Sequence, residues 1–184
     1  MKLAQFYRSK KDFEKIHWNL KLTACPHCKR TGTLILHGYL FGYDLGVYSK
    51  RVLKGRRIFC SNRNRKQGCG KTFSVFKADR LKRFSIQTSG LWSFLKNIAG
   101  GMNLFQAFRS LGIALKTTSI YRLYNRIYLG QHKIRTLLLK RSPAPQDIQH
   151  KNPLIKTIAH LKLAFQGSAD PLAAFQSTFQ SSLL

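Results

Sequence analysis

Four cysteines fall in two pairs, Cys25 and Cys28 in CPHC, then Cys60 and Cys69 in CSNRNRKQGCGKTF, and this spacing limits the fold more than any other feature. A tetrahedral metal site takes four soft ligands at about 2.3 Å, and a Cys-x2-Cys turn supplies two of them from one knuckle. The second pair has to supply the other two. Its eight-residue gap is longer than usual, but a loop holding Asn62, Asn64 and Gly68 can bulge outward before returning. The 31 residues between the pairs suffice for a β-hairpin with a long basic tip. The pattern predicts a four-cysteine zinc ribbon in which Cys25, Cys28, Cys60 and Cys69 hold one Zn2+ and no cysteine is left over.

Other chemistry fits CPHC less well. The same tetrapeptide serves thiol-disulfide exchange when its first cysteine opens a helix, which stabilises the thiolate. Here Lys-Arg-Thr-Gly-Thr follows, a turn into a strand. Structural thiols without metal are a further alternative. His27 can in principle replace a cysteine, but its place inside the knuckle turns it toward solvent. The first twenty residues carry charge throughout and lack the apolar stretch of a signal peptide. No apolar run approaches the roughly 20 residues that cross a bilayer. The expectation is a cytoplasmic protein without membrane contact, in a compartment where paired cysteines are more often ligands than disulfides.

The texture of the chain divides it. Residues 1–20, with Phe6, Phe13, Ile16 and Trp18 among lysines, predict a basic helix with one apolar edge. Residues 21–80 are rich in Gly, β-branched and aromatic residues and read as the ribbon's strands. From 84 to 141 the period becomes helical. Leu91, Phe94, Leu95 and Ile98 share a face that ends at Gly100-Gly101. Asn103 caps a second helix carrying Leu104, Ala107, Phe108 and Leu111 to Gly112, and a third begins near Thr117 with Ile120, Leu123, Tyr124 and Ile127 inward. Residues 142–151 hold Ser142-Pro143-Ala144-Pro145 and read as a linker. Asn152-Pro153 and Asp170-Pro171 then each open a helix, giving a hairpin over 152–184. Its apolar positions are Leu154, Ile158, Leu161, Phe165, Leu172, Phe175, Phe179 and Leu183. The predicted class is α+β: a small β zinc ribbon, an all-α helix-turn-helix region and a C-terminal helical hairpin.

Charge decides the partner. With 33 Lys and Arg against 6 Asp and Glu, the net charge is +27, which calls for an anionic partner. Thirty of the 33 cations precede the linker, leaving the hairpin for self-association, in a possible homodimer, or for docking a partner. The six acids, Asp12, Glu14, Asp44, Asp79, Asp147 and Asp170, are too scattered for a carboxylate-held two-metal nuclease. The six histidines are isolated from one another, and Tyr121, Tyr124 and Tyr128 sit at helical spacing that suits core or phosphate contact better than recombinase chemistry. The expectation is a protein without catalytic activity.

Two surfaces carry the cations. Lys50, Arg51, Lys54, Arg56 and Arg57 precede Cys60, and Arg63, Arg65, Lys66 and Lys71 surround the second knuckle. These should lie along phosphates. In LFQAFRSLGIALKTTSIYRLYNRI, Gly112 sits in a tight turn between two helices, the grammar of a helix-turn-helix whose second helix enters the major groove. With the apolar set inward, Thr117, Thr118, Ser119, Tyr121, Arg122, Asn125 and Arg126 begin and face out. Arg can bind guanine bidentately and Asn adenine. A plain helical bundle with a solvated polar face is the alternative.

Taken in tandem, the CPHC knuckle, RRIFC, the Cys-Gly-Lys-Thr-Phe closure at 69–73 and the Leu-Gly-Ile turn at 111–113 resemble the zinc-ribbon plus helix-turn-helix DNA-binding region of insertion-sequence transposases, over roughly residues 22–128. They look most like the small ribbon-plus-helix subunits encoded beside some of those transposases. The resemblance implies an accessory protein of a transposon or integrative element. It would bind double-stranded DNA at element ends or attachment sites and help a separate recombinase or transposase. A transcription regulator using the same surface is one alternative. An RNA-binding zinc-ribbon subunit, stacking unpaired bases on Phe41, Tyr43 and Tyr48, is another.

Overall fold

A computed structural model of the chain describes residues 1–44, 47–63, 65–112, 117–146 and 150–184, with backbone alone at 47–50 and 117. The protein is mixed α+β, with a four-stranded sheet and six α-helices among the described residues. Two compact units divide the chain, one of Met1–Tyr43 with Ser49–Ala78 and one of Asp44–Tyr48 with Asp79–Leu184.

The first unit contains β1 (Phe6–Tyr7), α1 (Lys10–Trp18), a 3-10 turn (Asn19–Leu22), most of β2 (Leu34–Asp44) and β3 (Val47–Cys60), and β4 (Thr72–Lys77). The sheet order is β1-β4-β3-β2. Strand β4 runs antiparallel to β3, with Gly55 opposite Phe76 and Ile58 opposite Phe73, and parallel to β1, with Phe6 opposite Phe76. Gly55 is required by that pairing, because a Cβ there would stand 2.3 Å from the Val75 carbonyl oxygen. The expected helix over 1–20 is thus shorter, and Phe6 and Tyr7 join the sheet instead. A two-residue strand carries no periodicity to read. The helix start does have a sequence signal, since Ser9 accepts from the Asp12 amide at 3.1 Å while the Asp12 carboxylate accepts from the Ser9 amide at 3.0 Å. Burial alone would raise the Asp12 pKa, but the Ser9 and Arg8 hydrogen bonds and the Lys15 charge outweigh it and hold the carboxyl below its ordinary value. Tyr7, Phe13, Leu20, Leu34, Ile58 and Val75 form the core, together with Cys25 and Cys60.

The second unit is helical: α2 (Thr88–Ala99), α3 (Leu104–Arg109), α4 (Thr117–Leu138), α5 (Pro153–Ala164) and α6 (Pro171–Phe179). The caps are those expected of the sequence: Asn103 accepts from the Gln106 amide at 2.9 Å, Asn152 from Leu154 at 2.9 Å, and Asp170 from Leu172 and Ala173 at 3.1 and 3.0 Å. Gly101 and Gly112 end α2 and α3 at φ +93° and +65°, a region that costs an L-residue but not glycine. Phe94 and Phe108 meet edge to face at 5.6 Å in the centre of this unit.

The apolar stripe of α5 and α6 is buried within this same core. Leu154, Leu161, Leu172 and Phe175 are each at most 2% exposed and share a cluster with Leu91, Leu95, Ile127 and Ile134. Asp44 accepts hydrogen bonds from Arg80 and, at 2.8 Å, from Gln87, while Thr88 donates to Asp170.

Candidate metal centre and basic surfaces

The two cysteine pairs converge although β2 and most of β3 lie between them. Cys25 and Cys28 sit in the loop after the 3-10 turn, Cys60 is the last residue of β3, and Cys69 lies just before β4. Their four Sγ atoms lie within 4.8 Å of one another. Cys25 and Cys69 approach to 3.8 Å and Cys28 and Cys60 to 3.7 Å. A tetrahedron with its centre about 2.3 Å from each corner has edges of about 3.8 Å, so these separations fit a four-cysteine metal site. They are far too long for a disulfide, and all four thiols are free. The cluster can hold a metal ion, and no other group of three or more such donors occurs among the described residues.

Backbone turns shape each knuckle. The Cys25 amide donates to Arg30 O at 2.9 Å and the Lys29 amide to Cys25 O at 3.0 Å, with Lys29 at φ +63°. In the second knuckle Cys60 N reaches Lys71 O, Gly70 N reaches Cys60 O and Gly68 N reaches Ser61 O, each at 2.9 Å. That last bond closes the long loop on itself, which is how a gap of eight residues still returns Cys69 to Cys60. The Cys69 amide and the Thr33 hydroxyl lie 3.3 and 3.2 Å from the Cys60 sulfur. Arg30 donates to Gln67 O and ties the knuckles together. Burial pushes the Cys25 thiol up to about 11, against the pull of the Cys28 and His27 amides. His27 is exposed and is not among the clustered donors.

Gly68 makes this closure possible. A Cβ there would stand 2.2 Å from Ser61 O and 2.8 Å from the Cys60 sulfur, and neither neighbour is a flexible chain end. Gly68→Ala is therefore expected to weaken metal binding by about tenfold or more, the scale of a damaged outer shell. Competition with a chromophoric chelator measures this, and parental affinity in the variant would contradict it.

The predicted cations have different surroundings. Arg51, Arg57, Arg63, Arg65, Lys66 and Lys71 are exposed. Lys54 is half-buried, and its stem lies over Gly42. Arg56 is also half-buried, its guanidinium 4.0 Å from the Tyr39 ring centre and 5.1 Å from that of Phe13, so it is a stacking group more than an open phosphate contact. Sequence reasoning missed Lys29 and Arg30, which line an open cleft with Lys66 and Gln67. Their position directly after CPHC was the available signal.

In α4, Ile120, Leu123 and Ile127 are buried and Tyr124 half-buried. Thr118, Tyr121, Arg122, Asn125 and Arg126 are exposed, Ser119 is half-buried, and the Arg126 guanidinium lies 5.4 Å from the Phe84 ring. The side chains of Lys50, Tyr48 and Thr117, and all of Ile113 and Asp147, lie outside the described residues. Among the described residues no helix is long and apolar enough to cross a membrane. Comparison of the chain with protein-family models, with curated proteins and with solved structures finds no match.

Proposed function

We propose that the protein is a sequence-specific, non-catalytic DNA-binding accessory factor of a transposon or integrative element, acting beside a separate recombinase. The observation that carries this reading is the exposed row Thr118, Tyr121, Arg122, Asn125 and Arg126 on the helix that follows the Gly112 turn, in a chain of net charge +27. In this reading α3 and α4 are a helix-turn-helix, and α4 enters the major groove with Arg122 and Asn125 at base edges. The cysteine cluster is a zinc ribbon holding one Zn2+, since four thiolates at tetrahedral spacing suit that ion and a closed site of four cysteines is structural. The basic residues around it track phosphates.

The disposition of the acids supports binding without cutting. Asp12 caps α1, Asp44 accepts from Arg80 and Gln87, and Asp170 caps α6 and accepts from Thr88. Selection of bound fragments from random duplex DNA tests the reading. A single enriched motif is expected, and a bound pool no richer in any motif than the input would overturn it.

A further inference from the structure

Strand β2 carries Gly38-Tyr39-Leu40-Phe41-Gly42-Tyr43, and its three aromatic residues occupy alternate positions. Alternate strand residues point to one face. Neither core of the protein uses these rings, since Tyr39, Phe41 and Tyr43 are 56%, 54% and 46% exposed. Single exposed apolar residues are ordinary, whereas three at period two make a contiguous patch. Tyr39 and Phe41 lie 5.9 Å apart with their planes only 27° from parallel. Arg56 sits 4.0 Å over Tyr39 and Arg51 lies 5.9 Å from the Tyr43 ring, so cations border the patch along its length.

We propose that this face of β2 is a stacking platform for the unpaired bases of single-stranded DNA. Three physical arguments lead to that occupant. A flat ring exposed on a strand offers a π-face, and duplex DNA keeps its base faces stacked inside, so within DNA such a face is met by unpaired bases. The Tyr39 and Phe41 ring centres lie 5.9 Å apart along the strand, wider than the separation of bases stacked on one another, so successive rings suit bases that are unstacked from one another. Phosphates between those bases carry the charge that Arg51, exposed beside Tyr43, complements, while Arg56, pinned between Phe13 and Tyr39, holds the Tyr39 ring in place. The inference depends on the DNA-binding reading above only in taking DNA, and not RNA, as the strand.

The test uses the full-length, metal-loaded protein and a fluorescent dT oligomer of about twelve nucleotides, read by anisotropy. Tyr39→Leu with Phe41→Leu keeps apolar bulk and removes both rings. It should weaken binding of the oligomer by about 25-fold, from roughly fivefold per lost stack, while affinity for a duplex of equal length stays within about twofold. Tyr39→Trp with Phe41→Trp should bind the oligomer at least as tightly as the parent, and equal metal content in all three proteins shows that the ribbon is intact. Parental affinity in the leucine variant overturns the proposal, and so does an equal loss toward duplex, which would make the rings part of a duplex surface. Tighter binding of the matching RNA oligomer overturns the choice of DNA. If the protein enriches no duplex motif yet binds dT through these rings, the accessory-factor reading fails and the platform stands.

Discussion

Stripping the metal from the cysteine cluster should unfold the unit built on Met1–Tyr43 and Ser49–Ala78, and returning one equivalent of Zn2+ should refold it. The core of this unit is small, and two of its eight buried members, Cys25 and Cys60, belong to the cysteine cluster that can hold a metal ion. Binding of a structural zinc ion is worth about 10–16 kcal/mol near neutral pH, whereas the whole stability of a folded domain is about 5–15 kcal/mol. The metal's contribution is therefore as large as the whole net stability of an ordinary domain. Without it, four thiols crowd within 4.8 Å and the two knuckles lose what joins them apart from bonds such as Arg30 to Gln67. Cys60→Ser should reproduce the effect of the chelator, since Cys60 is also the residue that the Cys69 amide and the Thr33 hydroxyl approach. Far-ultraviolet circular dichroism during chelation, with the metal released counted by a colorimetric dye, measures both. One ion per chain and loss of sheet signal are expected, and an unchanged spectrum after complete removal would contradict the argument.

The same site sets a direction with pH. Burial pushes the Cys25 thiol up to about 11, which favours its protonated form. Metal binding works against that preference, because each ligand must give up its proton to bind. Metal affinity therefore rises with pH across the neutral range, and acidification releases the ion and the fold together.

The four-cysteine cluster was legible in the sequence because cysteine identity and spacing encode it directly. The long gap before Cys69 was legible only as a bulge, and its closure through Gly68 and Ser61 needs the folded backbone. Helix starts were readable wherever a short polar side chain caps them, as at Asn103, Asn152 and Asp170. Strand β1 was not, because two residues hold no period and Phe6 gains its place only from pairing with Phe76. An apolar stripe on α5 and α6 likewise states that something covers it, without saying what. In the fold, α2 and α4 supply that cover from the same unit, so replacing Phe175 with Ser would report unfolding and not the loss of a partner. The cations show the same limit. Arg56 and Arg57 are neighbours of identical chemistry, and only the positions of Phe13 and Tyr39 distinguish a stacked guanidinium from an exposed one.

Duplex binding should weaken by about 10³- to 10⁵-fold between 50 and 200 mM salt, the fall expected when roughly 6–10 phosphates are neutralised. The exposed cations proposed to make such contacts are Arg57, Arg63, Lys66 and Lys71 around the cysteine cluster, with Arg122 and Arg126 on α4. Each neutralised phosphate contributes about −0.9 to the slope of log affinity against log salt. Replacing Arg57, Arg63 and Lys71 with Gln should then flatten the slope by nearly three and weaken specific and nonspecific sites alike. Asn125→Ala should behave differently. If Asn125 reads a base edge, its loss costs about 1–3 kcal/mol at the selected site and leaves the slope unchanged, because the amide carries no charge. The pair of results separates the two surfaces by mechanism, one purely electrostatic and one chemical. A slope near zero in the parent protein would remove the phosphate argument altogether. An Asn125→Ala variant that weakens every sequence equally would take α4 out of base recognition while leaving the ribbon's electrostatic role in place.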